Sequence, residues 1–156
     1  MAEFQSSNTS KCDFLSVVTQ GELTTFSNPL AEIDFTNTGV TKAGVCSLAD
    51  SLNWSVEVIA QSLNTTSGML IRHKSKRLNK QLTDNVLDIA KLGQFCVKYF
   101  DNVENFNGWL DTPVLLFNGE PPRRYMNSIR GRELIKQTVN KLKYSHTRQD
   151  HYKLNL

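Results

Sequence analysis

The chain has 156 residues, of which 39% are hydrophobic and 21% are charged, and its formal net charge is +3. No apolar run approaches the roughly 20 residues of a membrane-spanning helix, and the first residues lack the basic and apolar regions of a secretory signal, so we expect a cytoplasmic protein with no membrane partner. Three scattered cysteines, Cys12, Cys46 and Cys96, argue against a disulfide framework or a zinc site.

The first 41 residues are the least regular part of the chain. They are rich in Ser, Thr and Asn, and their apolar residues show weak periodicity. Residues 31–36 alternate between apolar and polar side chains, which is typical of a short strand. We predict an N-terminal arm over residues 1–41 that is partly disordered or becomes ordered only against a partner.

From residue 42 onward the apolar residues recur with helical spacing. Ser55 and Thr66 are good N-cap residues, and we place a helix start after each of them, the second helix extending to His73. Asn64 lies between these helices, and asparagine is the usual substitute for glycine where a tight turn needs a left-handed residue. Two helices joined in this way make a helix-turn-helix, which we predict within residues 42–80.

In a helix-turn-helix the N-terminal part of the second helix enters the major groove of DNA. The residues that follow it are basic and include no acid, so they can neutralise phosphates. The alternative interpretation is a three-helix scaffold with a solvated basic edge. We predict that the DNA-binding residues are Thr66, Ser67, Met69, Arg72, Lys74, Lys76 and Arg77.

The second half of the chain also has helical periodicity, so the predicted fold is all-α. Thr83 can cap a long helix that ends near Asp101. A short amphipathic helix follows and ends before Pro113, and the pair Pro121-Pro122 suits the start of the last helix. Residues 146–156 are polar, and we predict a flexible tail there.

Residues 107–131 predict a helix-connector-helix corner. Trp109 is a large apolar anchor, and Gly131 allows another backbone to approach closely. We expect Leu115, Leu116 and Phe117 to fill the corner. The residues predicted to build this structural motif are Trp109, Pro113, Gly119, Pro122 and Gly131.

These motifs occur in a distinctive order: the helix-turn-helix, then Trp109-Leu110, Pro113, Phe117-Asn118-Gly119, Pro122 and Gly131. In that order the chain resembles the Xre/MbcA/ParS antitoxins over about residues 42–144. The resemblance implies an Xre-like helix-turn-helix domain over residues 42–80 and a toxin-binding module over residues 81–145. Phe117 stands where the family usually has Leu, and His73 stands where a second Arg is frequent.

The resemblance also implies a function. Such proteins are antitoxins of type II toxin-antitoxin systems, and their partner is a RES-domain toxin that consumes NAD. The C-terminal module covers the entrance of the toxin's active site, and the helix-turn-helix binds operator DNA as a transcription repressor. The chain would be no enzyme and would need neither cofactor nor metal, and we expect a homodimer or a larger hetero-oligomer with the toxin. Two alternatives are a helix-turn-helix regulator without a toxin partner and a protein-protein adaptor that does not bind DNA.

The charge distribution bears on the implied toxin contact. Residues 121–156 carry nine basic residues and two acidic ones, a net charge of +7. An NAD site must accommodate a pyrophosphate, and arginine binds phosphate or carboxylate through a planar fork. The alternative is a solvated helix face. The residues we predict to contact the toxin are Arg123, Arg124, Arg130, Arg132, Lys136 and Tyr144.

Overall fold

The computed structural model describes residues 12–154, with side chains described to residue 145. Within this range the regular elements are helices, so the predicted all-α fold is confirmed, and none of these helices combines the length and hydropathy needed to cross a bilayer. The α-helices are α1 (Phe14–Val18), α2 (Pro29–Thr38), α3 (Lys42–Ser51), α4 (Val56–Ser62), α5 (Ser67–Ile71), α6 (Lys80–Phe100), α7 (Val103–Leu110) and α8 (Ile129–Leu154). Two short 3-10 helices, Leu115–Phe117 and Pro122–Tyr125, lie between α7 and α8.

Side chains that cap the first backbone amides determine where several helices begin. The hydroxyl groups of Ser55 and Thr66 accept hydrogen bonds from the first turns of α4 and α5, as predicted. The prediction for the long helix is wrong, because Asn79 caps α6 and Thr83 lies one turn inside it. Thr83 is buried, and its hydroxyl accepts a hydrogen bond from the Val40 backbone N–H at 3.2 Å. The threonine therefore joins two segments instead of starting a helix.

The N-terminal segment differs from the predicted arm, because residues 12–41 contribute to the core. Phe14, Val18 and Phe35 are buried, and α1 packs against both α3 and α6. Residues 31–36 belong to α2 and not to a strand, since Asn28 caps a helix that Pro29 begins. Residues 1–11 of the predicted arm lie outside the described part of the chain.

The cap of α1 also ties this segment to the loop that follows it. Asp13 accepts hydrogen bonds from the backbone N–H groups of Leu15 and Ser16, and from both the N–H and the hydroxyl of Thr25. Burial alone would raise the pKa of Asp13, but these hydrogen bonds stabilise the carboxylate and lower its pKa below the usual value. The ionised carboxylate thereby keeps α1 and residue 25 together.

Helix α6 is the central element of the molecule. It contacts α1 and α2 from the N-terminal part and α7 and α8 from the C-terminal part. One continuous cluster of buried apolar residues extends from Phe14 to Val139. The two units that we predicted over residues 42–80 and 81–145 meet where α6 begins, and they share this core.

The last helix is longer than predicted. Helix α8 continues to Leu154. Residues 146–154, which we expected to begin a flexible tail, therefore have a helical backbone. Residues 155 and 156 lie outside the described part of the chain. The polar composition that suggested a tail is equally compatible with a helix, because lysine, arginine and glutamine are good helix formers.

At Gly131 the helix backbone lies close to another part of the backbone, as predicted. A Cβ atom at this residue would overlap the carbonyl oxygen of Tyr125 and would lie 2.9 Å from Ser128 Oγ. We expect Gly131→Ala to lower the free energy of unfolding by about 2–3 kcal/mol, because a backbone carbonyl cannot move aside cheaply. Urea denaturation measures this change.

Gly108 provides the matched control for this substitution. It is also a helical glycine, in α7, but a Cβ atom there would meet no described atom within 4 Å beyond the local helix backbone. Gly108→Ala should therefore stabilise the protein by about 0.5–1 kcal/mol, since alanine loses less backbone entropy in a helix. Equal effects of the two substitutions would contradict the packing that we describe at Gly131.

Candidate functional site

A basic loop connects α5 to α6 and passes over the N-terminus of α3. The carbonyl oxygens of Lys74 and Lys76 accept hydrogen bonds from the backbone N–H groups of Ala43 at 3.1 Å and Lys42 at 3.0 Å. The first N–H groups of a helix have no partner within the helix, and the loop backbone supplies two. These bonds hold the loop in place, while the side chains of Lys74 and Lys76 remain exposed.

Residues 63–66 connect α4 to α5, the two helices of the predicted helix-turn-helix. Asn64 has a φ of 57°, so it adopts the left-handed conformation that we predicted. Helix α5 has only five residues and ends at Ile71, so His73 lies in the basic loop and not on the helix. The interpretation of this helix pair as a DNA-binding motif stays a prediction.

The residues predicted to contact DNA fall into two groups. Thr66 caps α5, Ser67 and Met69 are half-buried, and Arg77 Nη1 donates a hydrogen bond to the carbonyl oxygen of Gly39 at 2.7 Å. These four residues contribute to the fold. The other three, Arg72, Lys74 and Lys76, are exposed, as Thr66 and Arg77 also are, and they form no ion pair with any described residue.

Residues 114–120 form a closed loop with two exposed leucines. The backbone N–H groups of Val114 and Gly119 close it, by hydrogen bonds to the carbonyls of Glu120 at 3.2 Å and Val114 at 3.1 Å. The exposed fraction is 90% for Leu115 and 61% for Leu116, so the prediction that both fill the corner is wrong. Three successive residues of a 3-10 helix point in three directions, and only Phe117 faces the core.

The other residues of the predicted corner motif have these positions. Trp109 is half-buried, with its ring centroid 5.4 Å from that of Phe100 and 6.4 Å from that of Phe117. Gly119 has a φ of 76°, which suits the turn predicted there. Pro122 begins the 3-10 helix Pro122–Tyr125 and not the last helix, which starts later at Ile129, and Pro113 is an exposed residue after α7.

Arg132 is not available for the toxin contact that we predicted. Its side chain is only 2% exposed and lies between α6 and α8. It donates hydrogen bonds to Asp88 Oδ2 at 2.6 Å, to the Met126 carbonyl at 2.9 Å, and to Asn85 Oδ1. The arginine therefore stabilises the packing of two helices.

The guanidinium group of Arg123 also makes its contacts within the protein. It donates to both carboxylate oxygens of Asp111, at 2.5 and 3.1 Å, and to Asn107 Oδ1 at 3.2 Å, while Trp54 lies against its guanidinium, 5.2 Å from the ring centroid. Trp54 Nε1 donates to the same oxygen of Asn107 at 2.6 Å. The sequence did not reveal the contact between Trp54 and Asn107, because the two residues are 53 positions apart in the chain.

The remaining predicted toxin contacts do not form one patch. Arg124 is exposed and pairs with Glu120, whose hydrogen bond raises the pKa of the arginine. Arg130 and Tyr144 are exposed on α8 about four helical turns apart, so they share a face. The ammonium group of Lys136 lies over the Phe95 ring at 5.4 Å, on a different side of the helix.

Comparison with known proteins does not assign the chain to a family. The chain matches no family model, and a search among curated proteins also finds no match. These results neither support nor contradict the resemblance that the sequence motifs carry. The candidate interaction surfaces of the chain are therefore the basic loop, the exposed leucines and the exposed arginines.

Proposed function

We propose that the chain is an antitoxin of a type II toxin-antitoxin system, which binds and occludes a RES-domain toxin and represses its own operon. The observation that carries this proposal is the exposure of Leu115 and Leu116 on a closed loop. Burying a leucine side chain is worth roughly 1.5–3 kcal/mol, so two exposed neighbours favour a partner that covers them. The loop lies in the module where the family resemblance implies the toxin contact.

The conformation of this loop before binding also favours a protein partner. Its backbone hydrogen bonds and the buried Phe117 hold Leu115 and Leu116 in place. Binding then costs this chain less conformational entropy than it would with a mobile loop. Apolar anchors that enter pockets dominate many protein interfaces. Arg124 and Arg130 supply exposed guanidinium groups in the same module for an acidic or phosphate-binding site.

We assign DNA binding to the basic loop. Arg72, Lys74 and Lys76 are exposed, and the hydrogen bonds to α3 hold the loop backbone. Because α5 has only five residues, few of its side chains can reach base edges. Affinity would then come mainly from contacts with phosphates, which makes it strongly dependent on salt.

Replacement of Lys74 and Lys76 by glutamine tests this assignment. Each lysine that neutralises a phosphate contributes about 0.9 to the slope of log K against log salt concentration, so the slope should decrease in magnitude by about 2. We expect affinity for the upstream promoter to fall about tenfold to hundredfold. Fluorescence anisotropy at several salt concentrations measures both quantities.

The control for this prediction removes the same charge elsewhere. Lys98 and Lys141 are exposed on α6 and α8, away from the loop, and their replacement by glutamine should leave the slope unchanged. If both double variants lose affinity equally, DNA is attracted by overall charge and the loop is not its binding site.

Co-expression tests the toxin-binding function. The chain, expressed with a RES-domain protein encoded beside it, should restore growth, preserve cellular NAD and co-purify with that protein. Failure to form a complex would refute the antitoxin proposal. The basic loop favours one second candidate, a transcriptional regulator without a toxin, and promoter binding in the absence of any toxin complex would identify it.

A further inference from the structure

A cleft of about 420 Å³ lies between α4 with its following turn and the segment of residues 122–127. This volume falls within the range of small-molecule sites. Most of the described residues that line the cleft are polar, and none of them is acidic. The lining residues include Gln61 and Asn64 on one wall and Arg123, Arg124 and Asn127 on the other.

Hydrogen bonds between its two walls form the cleft in the free protein. Asn64 Nδ2 donates to the Asn127 carbonyl at 2.9 Å, and Asn127 Nδ2 donates to Asn64 Oδ1 at 3.3 Å. Asn64 is the left-handed residue of the turn after α4, and the two hydrogen bonds to Asn127 hold its side chain in position. A ligand would therefore not have to assemble the two walls.

Arg123 presents one end of its guanidinium without an acceptor. Asp111 occupies the edge formed by Nε and Nη2, and Trp54 covers the face. Nη1 is buried and has no hydrogen-bond partner among the described residues. Buried polar groups nearly always have partners, and an unsatisfied donor costs about 1–3 kcal/mol. Arg123 lines the cleft, so a rotation of its guanidinium towards the cleft would give this donor an acceptor on a bound ligand.

Arg124 offers a second cation at the same cleft. Its ion pair with Glu120 is exposed on both sides, and such pairs contribute about 0–1 kcal/mol. An anion in the cleft can therefore compete with Glu120 for this guanidinium. Gln61 is also exposed and adds an amide donor from the opposite wall.

We infer that this cleft binds a small oxyanion, the phosphate or carboxylate group of a ligand, with Arg123 and Arg124 as the principal donors. Guanidinium groups form their strongest hydrogen bonds with these two kinds of oxygen. The inference goes beyond the proposed function, because it needs neither the toxin nor DNA. Its test therefore succeeds or fails independently of the antitoxin assignment.

A nuclear magnetic resonance titration of the full chain tests the inference directly. Inorganic phosphate and acetate are added in separate experiments, at an ionic strength held constant with sodium chloride. We expect saturable shifts confined to the amides of residues 61–64 and 123–127. If only phosphate saturates the shifts, the cleft is a phosphate site, and if only acetate does, it is a carboxylate site. If both ions saturate the shifts, the cleft binds oxyanions in general. Shifts that never saturate, or that sodium chloride alone reproduces, would overturn the inference.

Three variants distinguish the cleft from general surface charge. Arg124→Gln should weaken anion binding at least tenfold, whereas Arg130→Gln, an exposed arginine that does not line the cleft, should leave it unchanged. Gln61→Phe fills the cleft without changing the charge, and it should also weaken binding. Equal losses in the two arginine variants, or full affinity in Gln61→Phe, would show that anions do not bind in this cleft.

Discussion

Replacement of Leu115 and Leu116 by aspartate should abolish toxin binding, with a loss of affinity of at least about a hundredfold, or roughly 2.7 kcal/mol. The two side chains are exposed in the free chain, and in the proposed complex they would lie in an apolar pocket. A carboxylate in such a pocket loses its hydration without gaining a partner. Isothermal titration calorimetry with the purified toxin measures the change.

The same substitutions should barely affect the fold. Exposed substitutions usually change the free energy of unfolding by less than about 0.5 kcal/mol, so thermal unfolding should match that of the unaltered chain. Leu30 and Ile33 provide the control, because they are also exposed apolar residues, but in α2. Their replacement by aspartate should leave toxin affinity intact. If the variant of Leu115 and Leu116 still binds and neutralises the toxin, the proposed contact is wrong.

Arg132→Ala should be strongly destabilising, by about 3 kcal/mol, which is a large part of the stability of a typical domain. The substitution removes two hydrogen bonds between α6 and α8 and one to the Met126 carbonyl, and it leaves a cavity between the helices. The Met126 carbonyl would also lose its donor in a buried position. Urea denaturation, followed by the far-ultraviolet circular dichroism of the helices, measures the loss.

Arg130→Ala is the matched control for this prediction. Arg130 lies two residues earlier in the same helix and is exposed, so we expect a change of less than about 0.5 kcal/mol. An Arg132→Ala variant as stable as the Arg130→Ala variant would show that the buried hydrogen bonds contribute little. Tests of the toxin surface should therefore use Arg124 and Arg130, because substitution of Arg132 alters the fold itself.

Some features of the fold could be predicted because their causes are local. Ser55 and Thr66 act as N-caps through bonds to residues three positions later, and Asn64 adopts the left-handed conformation of the turn. Gly131 accommodates a carbonyl from only six residues earlier in the chain. Helix α1 was missed because it has only five residues, too few for a helical periodicity to be visible. Helix α2 was missed because its residues 31–36 alternate between apolar and polar side chains, which is the pattern of a strand.

The candidate interaction surfaces could be predicted only in part. The sequence identified the corner around residues 107–131 and the basic run after α5, since composition and spacing mark both. It did not show which leucines of the corner face outward, because the 3-10 conformation rotates successive side chains away from one another. It also did not show that the basic run folds back over α3, since that contact depends on backbone hydrogen bonds from Lys42 and Ala43.

By itself, the sequence determined the helical class of the protein, several helix ends and the turn at Asn64, because these depend on residues within about four positions of each other. Only the tertiary structure decided which arginines are available to a partner. Arg132 binds Asp88, 44 residues away, and Arg123 binds Asn107 and Asp111 while Trp54 covers its face. Arg124 and Arg130 remain exposed. The four side chains are chemically identical, and their environments differ because the folded chain brings distant acceptors to only two of them.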